Sequence, residues 1–455
     1  MRMVHYIPHT ENEIASMLEE IGCRSIKELF ADIPGDLLLE SPLGLPEGLP
    51  ENDVYDRLYS LSCRNNTGFT SFLGCGSYDH IIPSAVKHLS SRSEFLTAYT
   101  PYQAEISQGI LQGMFEFQTM MCEITGLDVS NASLYDGHTA VCEAAGLALA
   151  SVRKSDTILY SACLNPNTKQ VLKTHFSGTD VRLVEIAEKQ GITDYEDLAE
   201  KIGPGTACMI IQSPNCYGYL EDMTNPVSLA AGSGALAIMA ANPLSFGLLK
   251  APGEWGADVA VGDIQPFGIP SCYGGPSAGY ITAKMKYLHK MPGRIAGESI
   301  DTEGRRAYIL TLQSREQHIK REKAGSNICS NQNLCALTAA IFLSALGRQG
   351  FRELALRNLQ KAHYLHDLIL ASNRTGTRDV IAYSGRQFFN EFSLLLPVKA
   401  SLVIERLMEE NILAGVELHN LDPGFPENLL TLAVTEKRTK EELDRCAAAL
   451  KKAVS

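Results

Sequence analysis

The stretch Gly256-Ala-Asp-Val-Ala-Val-Gly-Asp-Ile-Gln-Pro-Phe-Gly-Ile-Pro-Ser-Cys-Tyr-Gly-Gly-Pro-Ser-Ala-Gly-Tyr280 decides how the chain is read. Ala257 to Val261 is apolar enough for a strand covered on both faces. A Pro/Gly-rich loop follows, and a second strand starts at Tyr280. The loop from Gly262 to Gly279 contains no lysine; the next one is Lys284. Upstream the same grammar repeats. Thr157–Ser161, Val181–Ile186, Ala207–Gln212 and Ala235–Ala241 read as strands, and the helices between them run to His175, from Asp194 and near Asn225–Ala231. Such alternation is the pattern of a doubly wound, mostly parallel sheet. Ser213-Pro-Asn-Cys-Tyr-Gly218 and Asn242-Pro-Leu-Ser-Phe-Gly247 fall at the carboxyl ends of two strands, where open α/β sheets keep their ligands.

Further from this centre the pattern changes. Ile110, Met114, Phe117, Met121 and Ile124 recur at helical spacing in a helix from Ser107 to Gly126, and Gly126 closes it. A second helix runs from Gly137 to about Ala150. Its start, Asp136-Gly-His138, offers backbone N–H groups that suit a phosphate or water, and His138 reads as a cap or packing residue. Arg294 to Lys323 is densely charged and is predicted to contain a helix, as a solvated face or as an interface. Leu334–Leu346 is a buried helix and Arg352–Ala371 an amphipathic one. Val380–Tyr383, Phe389–Leu396, Gly415–Leu418 and Leu429–Val434 read as strands, with a helix from Lys399 and a last one opened by the capping box Thr439-Lys-Glu-Glu442.

Three parts result: a helical arm over 1–64, a large α/β domain over 65–350 and a small α+β domain over 351–455. The last boundary falls inside the Arg352–Ala371 helix. The arm carries two capping boxes, Thr10-Glu-Asn-Glu13 and Ser25-Ile-Lys-Glu28, and an extended connector from Ile33 to Pro50.

Two loops look chemical. Asn65 to Pro83 is rich in Gly, Ser and Asn yet holds Phe69, Phe72, Tyr78 and His80, which marks an ordered loop at a cleft. Thr97-Ala-Tyr-Thr-Pro-Tyr-Gln103 sets two phenols and an amide around a turn, groups that suit a small polar substrate. The plain alternative is that Tyr99 and Tyr102 only pack the loop. Composition leaves both readings open.

The formal net charge of −12 argues against broad binding to nucleic acid or anionic membranes. The twelve cysteines form no C-x-x-C pair and have no zinc-site spacing, so they read as reduced core residues of a reducing compartment, with no metal site. Met1 to Pro8 has no apolar signal core, and the apolar run Leu334–Leu346 is too short for a bilayer. The expected location is cytoplasmic. Motifs of P-loop nucleotidases, dinucleotide-binding dehydrogenases, zinc proteases and α/β-hydrolases are absent.

Several segments together resemble one family, the α subunit (subunit 1) of the two-chain glycine decarboxylase, the P-protein of the glycine cleavage system. They are Ser71-Phe-Leu-Gly-Cys-Gly-Ser-Tyr-Asp-His80, Thr97 to Gln108, Phe115-Glu-Phe-Gln118, Asn131 to Gly137, Gly262 to Gly268 with Gly274-Gly-Pro276, and Pro292-Gly-Arg-Ile295 through Ser326-Asn-Ile-Cys329. The resemblance spans nearly the whole chain. It implies the pyridoxal-phosphate-dependent transferase fold type I, with a large mostly parallel sheet domain and a small C-terminal α+β domain. It also implies a β subunit that carries the Schiff-base lysine, an α2β2 assembly, glycine as substrate, and the lipoyl arm of the H-protein as acceptor of the aminomethyl group.

The missing lysine, read from residues alone, agrees with that division. In enzymes of this class the strand–loop–strand carries a lysine because a desolvated amine attacks the cofactor's aldehyde. Near the strand end, Asn242 stands where a carboxylate would keep the pyridinium charged. From the resemblance, Ser71, Tyr78, His80, Tyr99, Tyr102 and Gln103 are expected to line the substrate site, and Gly274 and Gly275 to approach the cofactor phosphate across the interface. His138, Ser271, Cys272 and Ser213 depart from the family pattern. Two other readings are a catalytically inactive scaffold and an independent pyridoxal-phosphate decarboxylase; the second would need a lysine between Gly262 and Gly279.

Overall fold

Strands that are apolar along most of their length form where both sheet faces are covered, and the central strands of this chain are built that way. A computed structural model describes residues 8–39, 41, 43–373, 381–383 and 385–454. The strands and helices expected from the sequence fall inside that range except for Val380; Met1 to Ile7, and Glu40 and Pro42 of the expected connector, also lie outside the described residues. Seven strands make the main sheet: β1 (Val129–Ser130), β2 (Thr157–Ser161), β3 (Arg182–Ile186), β4 (Thr206–Gln212), β5 (Leu236–Ala240), β6 (Val259–Asp263) and β7 (Gly279–Ala283). Their order is β1-β7-β6-β5-β4-β2-β3. Five of them, β2 to β6, pair in parallel, and β7 runs against both of its neighbours.

Alternate residues of each strand serve opposite faces. Ile158, Cys208, Ile210, Ile238 and Val261 face the helix α4 (Gly137–Ser151), while Leu159, Met209, Ile211, Ala237 and Met239 face α6 (Tyr195–Lys201) and α7 (Thr224–Ser233). The numbering counts α1 (Glu11–Glu20), α2 (Glu51–Ser62), α3 (Gln108–Thr125) and α5 (Pro166–Phe176) in chain order. α3 has the expected stripe: Ile110, Met114, Phe117 and Met121 are buried, and Gly126 ends it in the left-handed conformation.

The charged region departs from expectation. Most of it is not helical; it folds as an antiparallel ribbon, β8 (Ile295–Ile300) with β9 (Arg306–Thr311), followed by one helical turn at Gln317–Lys320. Its inner side, Ala296, Tyr308 and Leu310, packs on Ile110, Leu111 and Met114 of α3, and Arg306 pairs with Glu298 at 2.7 Å on the outer side. Two glutamines of α3 fasten it through backbone-like double bonds. Gln118 takes Ala296 N–H and donates to Ala296 O, both at 2.9 Å, and Gln108 does the same with Tyr308 at 2.7 and 2.8 Å.

α8 (Asn333–Asn373) joins the two predicted helices and is broken at Gly347, whose φ is +62°. By length and composition it would pass as a membrane span, yet Ala336, Ala339, Phe342 and Leu343 pack with Phe117, Met121 and Phe267 in the core. The carboxyl-terminal region holds a three-stranded antiparallel sheet of β10 (Glu391–Leu395), β11 (Val416–Glu417) and β12 (Leu429–Ala433), ordered β10-β12-β11, with α9 (Ala400–Glu409) and α10 (Lys440–Val454). Thr439 and Glu442 cap α10 reciprocally, as do Thr10 and Glu13 at α1. The Ser25 box does not close: Glu28 accepts Arg24 N–H instead, and the segment is a 3-10 turn.

Contacts divide the chain into two units, 1–67 and 68–455. Within the first, neither α1 nor α2 buries a residue, and Ile21, Leu37, Leu45, Tyr55, Leu58 and Tyr59 are exposed.

Candidate active site

At the carboxyl ends of β4, β5 and β6 lies a cavity of about 70 Å³. Gln212, Asn215, Asn242 and Asp263 reach it from the strand ends, and Gly137 and His138 from the start of α4. Asn165 and Thr168 come from the start of α5, Cys75 and Tyr78 from the loop before α3, and Asn390 and Glu391 from the start of β10. α4 begins here because Asp136 caps it, accepting Thr139 N–H at 2.7 Å. Gly137 is needed for the approach: a Cβ there would sit 2.9 Å from Asp263 N.

The end of α4, read from sequence as open to an anion, is closed by the chain itself. Gly137 N–H donates to Asp263 Oδ2 at 3.0 Å, and Asp263 Oδ1 accepts Gln265 N–H and Ser277 Oγ–H. Two carboxylates, Asp136 and Asp263, thus occupy the helix end. Burial pushes the Asp263 carboxyl above its usual range, against the pull of its three hydrogen bonds. Glu391 is a second buried acid. It accepts Cys75 N–H and Tyr78 O–H (2.7 Å), and burial raises it too. Burial also pushes the Cys75 thiol up to about 12, so it is neutral and not a nucleophile. His138 is not the cap of α4; its Nδ1 lies 2.8 Å from Thr168 Oγ1 on the cavity wall.

These residues do not fit pyridoxal phosphate. No lysine lines the cavity, an amide stands at Asn242, and a phosphate dianion would meet two carboxylates at the helix end.

The residues singled out in the sequence are spread over several places. Tyr78 lies in the cavity wall. His80 is buried elsewhere, its Nδ1 2.8 Å from Glu436, which also accepts Ile81 N–H and Asn358 Nδ2–H. Burial opposes the charge on Glu436, but these bonds outweigh it and hold its carboxyl down at about 2. Ser71 belongs to a short strand paired with Leu413, and its Oγ accepts Leu73 N–H. Tyr99 is 93% exposed, and Gln103 is exposed beside it. Tyr102 is half-buried: its hydroxyl donates to Asn331 Oδ1 at 2.9 Å, and the Arg294 guanidinium lies 4.3 Å from its ring centre. Arg294 in turn pairs with the buried Glu316 at 3.0 Å and donates to Cys329 O.

Gly274 and Gly275 lie in an exposed turn with Tyr273, where Cys272, Tyr273 and Gly274 all have positive φ. Asp263, Glu391, Asn390, Cys75 and Thr168 were not singled out in sequence. They converge from segments far apart in the chain; Asp263, in the decisive loop, and Cys75, in the Ser71–His80 loop, lie in stretches that carried a sequence signal.

A large, mostly parallel sheet with one reversed strand, a cavity at its carboxyl edge and a small antiparallel sheet in the carboxyl-terminal region define the class: fold type I of the pyridoxal-phosphate-dependent enzymes. A sphingosine-1-phosphate lyase of Burkholderia pseudomallei has the same fold, with a TM-score of 0.65 over 93% of this chain and 94% of that one at 14% identity. Within the class, the glycine cleavage system P-protein family model matches residues 4–450. The probable glycine dehydrogenase (decarboxylating) subunit 1 of Citrifermentans bemidjiense is 46% identical over 99% of both chains. The crystal structure of a glycine decarboxylase (P-protein) of the glycine cleavage system, in inhibitor-bound form, superposes with a TM-score of 0.87, at 41% identity over 99% of this chain and 100% of that one. The chain belongs to the glycine cleavage system P-protein family.

Proposed function

We propose that this chain is the lysine-free subunit of an aminomethyl-transferring glycine decarboxylase. Its partner, a β subunit in an αβ unit assembled as α2β2, binds pyridoxal phosphate through its own lysine, and the lipoyl arm of an H-protein accepts the aminomethyl group. Likeness to proteins named subunit 1 over the full length supports the activity and the partner. The observation that carries the division of labour is Asp263. It fills the helix end that a cofactor phosphate would use, in a loop with no lysine.

In this reading the chain's contribution is made outward, by groups its own fold leaves open. The Tyr99 phenol and the Gln103 amide are exposed on a turn that Tyr102 anchors through Asn331 and Arg294. Neutral donors of this kind orient a small carboxylate without the strong ground-state binding that an arginine pair would give. The Gly274–Gly275 turn offers bare backbone for a close approach to the partner's phosphate. Location in the cytoplasm accords with this reading.

The test is reconstitution with the β partner and measurement of glycine-dependent bicarbonate exchange. Exchange is expected from the mixture and from neither chain alone. Tyr99→Phe should lower the rate by about one to two powers of ten, the effect of one well-used hydrogen bond in a closed site, with assembly intact. Full activity of the partner alone would reduce this chain to a scaffold.

A further inference from the structure

The cavity of this chain is closed to a phosphate, yet its walls are polar. Two of its lining residues hold side-chain donors that none of the described protein groups accepts. Asn390 is 1% exposed, and its Nδ2 has no hydrogen-bond partner among the described residues; the same is true of Asn242 Nδ2. The Asn242 amide is oriented by its own fold, because its Oδ1 accepts Leu244 N–H at 3.0 Å as the cap of the turn Pro243–Gly247. Its nitrogen therefore has to find an acceptor elsewhere. Buried donors without partners are rare in folded proteins, and a pair of them in one cavity calls for an acceptor there, from water or from a ligand.

The opposite polarity is present in the same walls. Asp263 and Glu391 both line the cavity, and among the lining residues there is no lysine or arginine to balance them. Burial raises both carboxyls, which a cation beside them would reverse. The cavity of about 70 Å³ has room for roughly five water molecules. That is the scale of a very small ligand.

We propose that this cavity binds a small zwitterionic α-amino acid of the size of glycine or alanine, its ammonium group on Asp263 and Glu391 and its carboxylate on the amides of Asn242 and Asn390. An anion alone would leave the acids uncompensated, and an amine alone would leave the amides unpaired. The inference rests on the reading that this chain holds no pyridoxal phosphate of its own. It adds to that reading a binding site within the chain's own fold.

The experiment uses the full chain without its partner, titrated by calorimetry and by saturation-transfer NMR with glycine, alanine, acetate and methylamine. Glycine or alanine should bind, with acetate and methylamine at least about tenfold weaker. Asn242→Asp keeps the cap on Leu244 and removes the donor, and Asn390→Leu removes the second amide; each should weaken glycine at least about tenfold, with the melting temperature of Asn242→Asp close to that of the parent. No binding up to tens of millimolar, roughly the weakest affinity such a site would have, leaves the cavity to water and overturns the inference. Acetate binding as well as glycine, or glycine binding unchanged in Asn242→Asp, overturns it as well. Pyridoxal phosphate added to the same protein is read separately. A visible band reducible by borohydride would remove the premise, whereas no band and no glycine binding would sink this inference alone.

Discussion

At the scale of single residues, Asp263 sets what the large domain can hold. Its carboxylate serves Gly137 N–H, Gln265 N–H and Ser277 Oγ–H at once. Asp263→Ala leaves three donors without an acceptor in a buried place, so denaturant unfolding of the isolated chain should show a loss of about 2–4 kcal/mol; an unchanged midpoint would mean that water replaces the carboxylate at little cost. The two turn tyrosines should separate cleanly. Tyr102→Phe removes the bond to Asn331 and should cost the isolated chain about 1 kcal/mol. Tyr99→Phe, in a side chain 93% exposed, should leave its melting unchanged while reducing turnover in the complex. If the two variants melt alike, the anchoring role given to Tyr102 is wrong.

At the scale of elements, the loop from Ser71 to His80 is tied to the segment before α10. His80 and Ile81 bond Glu436, and Asp79 pairs with Lys437 and Arg438 at 2.6 and 2.9 Å. The sign of the pH effect follows from Glu436. Its folded value, about 2, lies below the ordinary 4.5, so its stabilising contribution is complete above the ordinary value and is lost as pH falls from 4.5 towards 2. Glu436→Gln should therefore lower stability at neutral pH by roughly 2–3 kcal/mol and flatten the acid limb. A variant as acid-sensitive as the parent would contradict this.

The elements were legible in sequence to different degrees. β2 and β6 and helices α3 and α4 were readable because burial on two faces or on one stripe leaves a periodic trace. The β8–β9 ribbon was not, since its outer charges, Glu298 and Arg306, mask an inner side that only α3 completes. The cavity was least legible: Tyr78, Thr168, Asp263 and Glu391 meet only in three dimensions. The open helix end inferred at Gly137 was closed by a residue more than a hundred positions away, with a separation of 126.

At the scale of the whole molecule, the first unit states its need for a partner. Helices α1 and α2 carry Ile21, Tyr55, Leu58 and Tyr59 exposed and bury nothing, and short helices without a packed face are marginal in water. Backbone amides of Glu11–Glu20 and Glu51–Ser62 should exchange quickly in the isolated chain and be protected in the αβ complex; equal exchange in both would place the partner elsewhere. The central claim is that a chain with the fold of a pyridoxal-phosphate enzyme serves glycine decarboxylation without holding the cofactor. The most direct test is to reduce the reconstituted complex with borohydride, separate the chains and locate the phosphopyridoxyl group by mass spectrometry. The account predicts all of it on a lysine of the β partner. A phosphopyridoxyl lysine in this chain, at Lys284 or Lys250, would contradict it.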